Sequence, residues 1–191
     1  IFRIGFLEMD CRTVADFFAE WERGIQKSRG VGVERREISG SLEQVLRALA
    51  PLTSMERRRY IFVPTGGSWT AFFDNGHQGS DPESVISHMA MHLGCRGVKV
   101  VAIPDTRDGE HTDARGRFGT IELQVYGPEK THFLNYMRTI QLSNQGDRWV
   151  FTETGTPFPF EDANQYKVRR VRERFSVELL NRYANALGLQ P

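Results

Sequence analysis

The stretch from Arg59 to Pro104, RYIFVPTGGSWTAFFDNGHQGSDPESVISHMAMHLGCRGVKVVAIP, decides the fold class. Arg59–Val63 and Trp69–Phe73 are rich in β-branched and aromatic residues and flank Gly66-Gly67, a pair able to adopt the positive φ values of a two-residue hairpin turn. Along the second strand, Trp69, Ala71 and Phe73 share one face and Thr70, Phe72 and Asp74 the other, so both faces carry apolar groups and the strand reads as a central one. Asp81, followed by Pro82, opens a helix that runs to Leu93. Val85, Ile86, Met89 and Leu93 form its apolar stripe and Gly94 its stop. Val98–Ile103 is a nearly continuous β-branched run, and a helix crossing between two buried strands predicts a parallel pairing.

Working outward, Phe2, Ile4 and Phe6 alternate as a first strand. Residues Thr13–Lys27 carry Val14, Phe17, Phe18, Trp21 and Ile25 at helical spacing, and Gly30 ends that helix. Val31–Ile38 is expected to form a strand. Ser41 and Gln44 make a capping box for a short helix that Pro51 stops. Thr120–Tyr126, Phe133–Leu142 and Arg148–Thr152 read as strands, the last two joined by the turn-forming Asn144-Gln145-Gly146-Asp147. Pro157 and Pro159 make residues 154–160 an extended connector. Ser176 caps the final helix, with Phe175 and Leu180 placed as a hydrophobic staple and Gly188 at its end. Together these elements predict one globular domain over residues 1–191. Its class is α+β, or α/β, with a mixed sheet of about seven strands flanked by about four helices.

Composition narrows the function classes. Lys and Arg number 25 against 24 Asp and Glu, so no overall charge recommends nucleic acid or an anionic membrane as the main partner. Cys11 and Cys95 are too few and too far apart for a disulfide framework or a paired metal ligand set, which favours a reduced, cytoplasmic setting. No apolar run approaches the length of a membrane span. Ile1–Leu7 lacks the basic start and small-residue cleavage site of a signal peptide.

Three clusters could carry chemistry. The elbow Asp74-Asn75-Gly76-His77-Gln78-Gly79-Ser80-Asp81 leaves the end of a buried strand, where side chains project from a rigid scaffold. There His77 is a candidate general base and Asp74 its orienting partner, because imidazole titrates near neutrality and a carboxylate fixes its tautomer. The alternative is that Asp74 caps tight turns at Asn75-Gly76 and Gly79. Residues 104–117 form a long polar loop in which Asp105, Asp108, His111 and Asp113 offer hard oxygen ligands and an imidazole; Asp105, His111 and Asp113 are the candidate metal ligands. His88 and His92, four residues apart, share a helix face but lack an evident third ligand.

The arginines lie elsewhere. Lys167, Arg169, Arg170, Arg172 and Arg174 alternate with Tyr166, Val168 and Val171, so one face reads as packed and the basic groups as solvated. Arg169, Arg170 and Arg172, with Asn75, are the candidate partner-binding residues. With no complete catalytic set or cofactor fingerprint in view, the leading expectation is a cofactor-free protein-binding module, immunity- or adaptor-like, acting on another protein; self-association is left open. The alternative is a small hydrolase or metal-assisted enzyme built on the Asp/His cluster. A third reading is nucleotide or RNA binding through the C-terminal arginines.

Overall fold

The computed structural model describes residues 2–52, 58–76, 82–107 and 116–189. Its centre is one sheet built from β1 (Arg3–Leu7), β2 (Tyr60–Pro64), β3 (Thr70–Asp74), β4 (Gly97–Ile103), β5 (Thr120–Tyr126), β6 (Tyr136–Asn144) and β7 (Trp149–Gly155). The strand order is β2-β3-β1-β4-β5-β6-β7. Four α-helices accompany the sheet: α1 (Cys11–Gln26), α2 (Leu42–Arg47), α3 (Glu83–Leu93) and α4 (Val177–Ala186), with short 3₁₀ turns between elements. The α+β class, with seven strands and four helices, is therefore as the sequence predicts.

Every pairing is antiparallel, which corrects the parallel pairing expected across α3. Strands β3 and β4 do run in the same direction, but β1 lies between them and pairs with both: Gly5 faces Phe72 on one side and Lys99 on the other. The crossover helix thus spans one extra strand. Gly5 and Gly97 let it settle close to the sheet, because a Cβ at either position would meet Ile86, at 2.5 Å from its Cγ1 and 2.7 Å from its Cγ2 respectively.

Alternation sorts the side chains to two covered faces. Leu7, Phe72 and Tyr126 face α1 and α3, where Val14, Phe18, Ile86 and Met89 complete a core cluster. On the opposite face, Val98, Leu123, Val125, Ile140 and Leu142 pack against Leu180 and Tyr183 of α4 and Leu187 at its end. Ile61, Ala71 and Phe73 pack there against Leu49, with Val45 and Leu46 of α2 beside them. Burial on both faces explains why β3 carries almost no exposed residue, as its sequence suggests.

Most caps follow the sequence. The Ser41–Gln44 capping box forms, Ser176 accepts from the Leu179 N–H, and Gly94 closes α3 with φ 67°. Two local expectations change. The β2–β3 connection uses three residues, 66–68, and neither Gly66 nor Gly67 has positive φ. Instead the Thr65 hydroxyl donates to the Trp69 carbonyl and accepts from the Gly67 N–H, so a side chain shapes the turn. Residues 31–38 form no strand. They lie outside the sheet, with Arg35 bonded to Asp16 of α1 at 3.0 Å and Glu37 3.7 Å from Arg12. Asp81, the expected cap of α3, lies outside the described residues.

Candidate functional site

The register brings the ends of β3 and β4, from which the elbow and the long loop depart, to one end of the sheet. Because β3 and β4 run parallel on either side of β1, Asp74 and Ile103 leave the sheet at the end where β1 begins. Two strand spacings separate them, about 10 Å. The β6–β7 turn, residues 145–148, lies at the same end. His77, His111 and Asp113, like Asp108, lie outside the described residues.

Asp74 and Asn75 are turn-builders. The buried Asp74 carboxylate accepts from Arg58 Nη2 at 3.1 Å and from the Gly76 N–H at 2.6 Å. Asn75 is 1% exposed: its Oδ1 accepts from the Arg59 N–H and its Nδ2 donates to the Pro51 carbonyl. Both ends of that amide are engaged inside the fold, so the expectation that Asn75 touches a partner is corrected. Asp105 is likewise structural at the base of the long loop, accepting from the Gly119 N–H at 3.3 Å and from Asn144 Nδ2 at 3.0 Å.

His88 and His92 stack with ring centroids 3.9 Å apart, and His88 stacks on Trp21 at 4.2 Å. His92 Nδ1 lies 2.8 Å from the His88 carbonyl. Burial, and secondarily the neighbouring His92, hold the His88 imidazole below its usual pKa. No group of three or more metal-ligating side chains is assembled among the described residues.

Aromatic and guanidinium groups gather around the end where β1 begins. Arg117 lies over Phe2 at 4.6 Å, Arg107 over Phe118 at 4.4 Å and Arg172 over Trp149 at 5.0 Å. Such stacking holds a guanidinium in place while leaving its donor edge open. Trp149 also closes on Gly119, where a Cβ would meet its ring at 2.6 Å and the Asp105 Cβ at 2.8 Å. The long loop's base and the arginine segment, far apart in sequence, therefore share one tryptophan.

The segment carrying Arg169, Arg170 and Arg172 is firmly seated. It comprises two short 3₁₀ turns, Gln165–Lys167 and Val171–Glu173, between buried Tyr166 and Phe175. Tyr166 packs on Phe151 of β7, and Arg174 Nε donates to the Val168 carbonyl. Arg169, Arg170 and Arg172 all point to solvent. Arg170 makes a 3.1 Å ion pair with Glu173, whereas Arg169 and Arg172 have no ion pair among the described residues.

Two buried polar networks escaped sequence reasoning. On the α1/α3 face, Lys99 Nζ donates to Glu83 at 2.8 Å and lies 3.4 Å from Glu122. The Tyr136 hydroxyl donates to Glu83, and the Tyr126 hydroxyl to Gln124. Burial, then the Glu83 carboxylate, push the Tyr136 phenol well above its usual range. On the α4 face, fully buried Arg138 is held between Glu161 and Glu153 and also donates to the Thr154 and Gly155 carbonyls. Burial alone would lower the guanidinium pKa, but the bonds to Glu161 and Glu153 outweigh it and raise it. The signals were present: Lys99 interrupts a β-branched run, and Arg138 stands where the β6 alternation demands an apolar residue.

No transmembrane-length apolar helix occurs among the described residues. Comparison with protein-family models, with curated proteins and with solved structures found no match for this chain, so what it does must be argued from these residues themselves.

Proposed function

We propose that this chain is a protein-binding module that holds an acidic region of a partner on the ridge formed by Arg169, Arg170 and Arg172. One observation carries the reading: exposed guanidinium groups, two of them without an ion pair among the described residues, are displayed on a backbone pinned by buried Tyr166 and Phe175. Rigid arginines beside a tryptophan lose little entropy on binding and offer forked donors to carboxylates, which is why such groups dominate interface energetics. No cofactor is required for this work.

The test is affinity capture from an extract of the source cells, with an Arg169→Glu/Arg172→Glu variant as the control, followed by titration of the purified partner. A protein retained by the wild type, lost in the variant and bound in defined stoichiometry supports the reading. Equal capture by both proteins, or a variant-sensitive retention of nucleic acid in place of protein, overturns it.

A second reading, a small metal-assisted hydrolase, draws on the common sheet end from which Asp74 and Asp105 depart. Metal content measured on untagged protein, and on His77→Ala and His111→Ala variants, tests it. Stoichiometric metal lost in either variant would move this reading ahead of partner binding, and metal-free wild type would remove its metal-assisted form.

A further inference from the structure

The two edges of the sheet are guarded differently, and the hydrogen-bond phase shows how. The Gln145 N–H donates to the Arg148 carbonyl at 2.9 Å, closing the β6–β7 turn as a bonded pair. Bonded pairs alternate along an antiparallel ladder, so the next ones are Ser143–Val150, Gln141–Thr152 and Thr139–Thr154. Trp149, Phe151 and Glu153 therefore turn their N–H and C=O groups away from β6. The phase is consistent on the other side of β6, where the Asn144 N–H, opposite Trp149, goes to Gly119 at 2.8 Å.

No strand among the described residues lies beyond β7. Among the described residues no loop or side chain bonds to the backbone of Trp149, Phe151 or Glu153. The strand is seven residues long and contains no proline or lysine. Its one acid, Glu153, is committed to Arg138. The opposite edge is shorter and blocked. The bonds from Asn75 N–H to Arg59 and from Thr65 N–H to Trp69 set the phase of β2, which turns Tyr60, Phe62 and Pro64 outward. Pro64 has no N–H to offer, a usual device against strand addition.

The open edge lies beside the arginines. Arg172 covers Trp149, the first residue of β7, and Arg148 is the residue before it. We infer that β7 accepts an extended, acidic segment of a protein partner as an eighth, edge strand. The backbone groups of Trp149, Phe151 and Glu153 supply the main-chain bonds, and every second partner side chain, a carboxylate, meets Arg172 and its neighbours. Strand addition of this kind takes affinity from the main chain and selectivity from alternate side chains. The inference rests on the arginine reading above and specifies the conformation of what that ridge holds.

The probe is a synthetic eight-residue peptide of alternating Glu and Val, with a Lys/Val peptide as its counterpart, titrated against the intact protein while single-amide hydrogen exchange is followed by NMR. The expected result is binding of the Glu/Val peptide at least tenfold tighter than of the Lys/Val peptide. The amides of Trp149, Phe151 and Glu153 should become protected, whereas those of Val150, Thr152 and Thr154 are already slow without peptide. N-methylation of the peptide's alternate amides on one edge should abolish binding, and on the other edge leave it intact. Binding that depends on Arg169 and Arg172 but leaves the three amides exchanging freely would overturn strand addition while sparing the arginine reading. Failure of the Glu/Val peptide to bind, alongside arginine-dependent capture of a cellular partner, would do the same. Concentration-dependent protection of the three amides without peptide would mean that a second copy closes the edge, and would also overturn the inference. Loss of both peptide binding and arginine-dependent capture would remove the two proposals together.

Discussion

Lys99 and Arg138 are both cations held between two carboxylates inside the same sheet, on opposite faces and two strands apart. Their surroundings differ. Lys99 presents three donors of a compact ammonium to Glu83 and Glu122, and Glu83 keeps about a third of its side chain in water, at 35% exposure. Arg138 spreads a planar fork over Glu161, Glu153 and two carbonyls, and Glu161 is 1% exposed. The Glu161 carboxylate also accepts from the Phe158 N–H and the Tyr166 hydroxyl. That network ties the proline-bearing connector and the arginine-bearing segment down onto β6 and β7. The lesson is that a buried charge matters less for its own attraction than for what is stranded when it goes.

Removing Arg138 should therefore give the largest effect. Arg138→Ala leaves Glu161 buried without its counter-charge and should cost about 3–5 kcal/mol in denaturant unfolding. Arg138→Lys keeps the charge but cannot span both acids and both carbonyls, and should recover only part of that loss. A full recovery by lysine would show that charge alone, and not the fork, holds the segment.

Lys99→Met should cost less, about 2 kcal/mol, because Glu83 can turn to water even though Glu122 cannot. The double variant Lys99→Met/Glu122→Leu removes the stranded acid as well and should return close to wild-type stability. A double variant worse than the single one would make the Lys99 network equal in kind to that of Arg138.

Alkali should separate the faces further. Tyr136 and Tyr166 both have phenols raised by burial, then by a neighbouring carboxylate for Tyr136 and by the Tyr183 hydroxyl and Glu161 for Tyr166. Above the ordinary tyrosine value of about 10, the unfolded chain releases protons that the folded chain retains. The folded state then binds more protons, and stability falls as pH rises. Tyr136→Phe should flatten that fall by the share Tyr136 itself contributes, as read by melting temperature against pH and by tyrosinate absorbance. An unchanged slope would assign the alkaline loss to the other buried phenols, Tyr60 and Tyr126 on the same face and Tyr166 beside Arg138.

The smallest effect is expected in acid. The His88 pKa is lowered on folding, so its contribution is fully present above the ordinary histidine value and falls as pH drops through it, where the unfolded chain takes up the proton first. A modest decline in melting temperature below about pH 6.5 should follow, with a parallel change in Trp21 fluorescence, since the two rings stack. His88→Phe should remove both. Because His88 belongs to neither charge network, the decline should persist in Lys99→Met.

Much of the fold is legible before any coordinates. β3 is apolar on both faces, α3 has a clean stripe with a glycine stop, and the Ser41 and Ser176 caps are local motifs whose hydrogen bonds form within a few residues of sequence. Residues 31–38 mislead because β-branched residues fit a strand only where a neighbour exists, and here Arg35 and Glu37 are tied to Asp16 and Arg12 of α1. The candidate site was legible only in pieces. Arg169, Arg170 and Arg172 stand out as a run, but Asn75 looks like a surface amide until the backbone of residues 51 and 59 is seen to use it.

Periodicity, caps and composition, being properties of neighbouring residues, thus determined the class of this protein, its helices and most of its strands. The insertion of β1 between β3 and β4, the meeting of Arg172 with Trp149, and the contrast between an edge sealed by Pro64 and an open one at β7 were decided by tertiary structure alone. Each depends on which distant segments pair and in which register. A one-residue change of register would exchange the inward and outward groups of every strand.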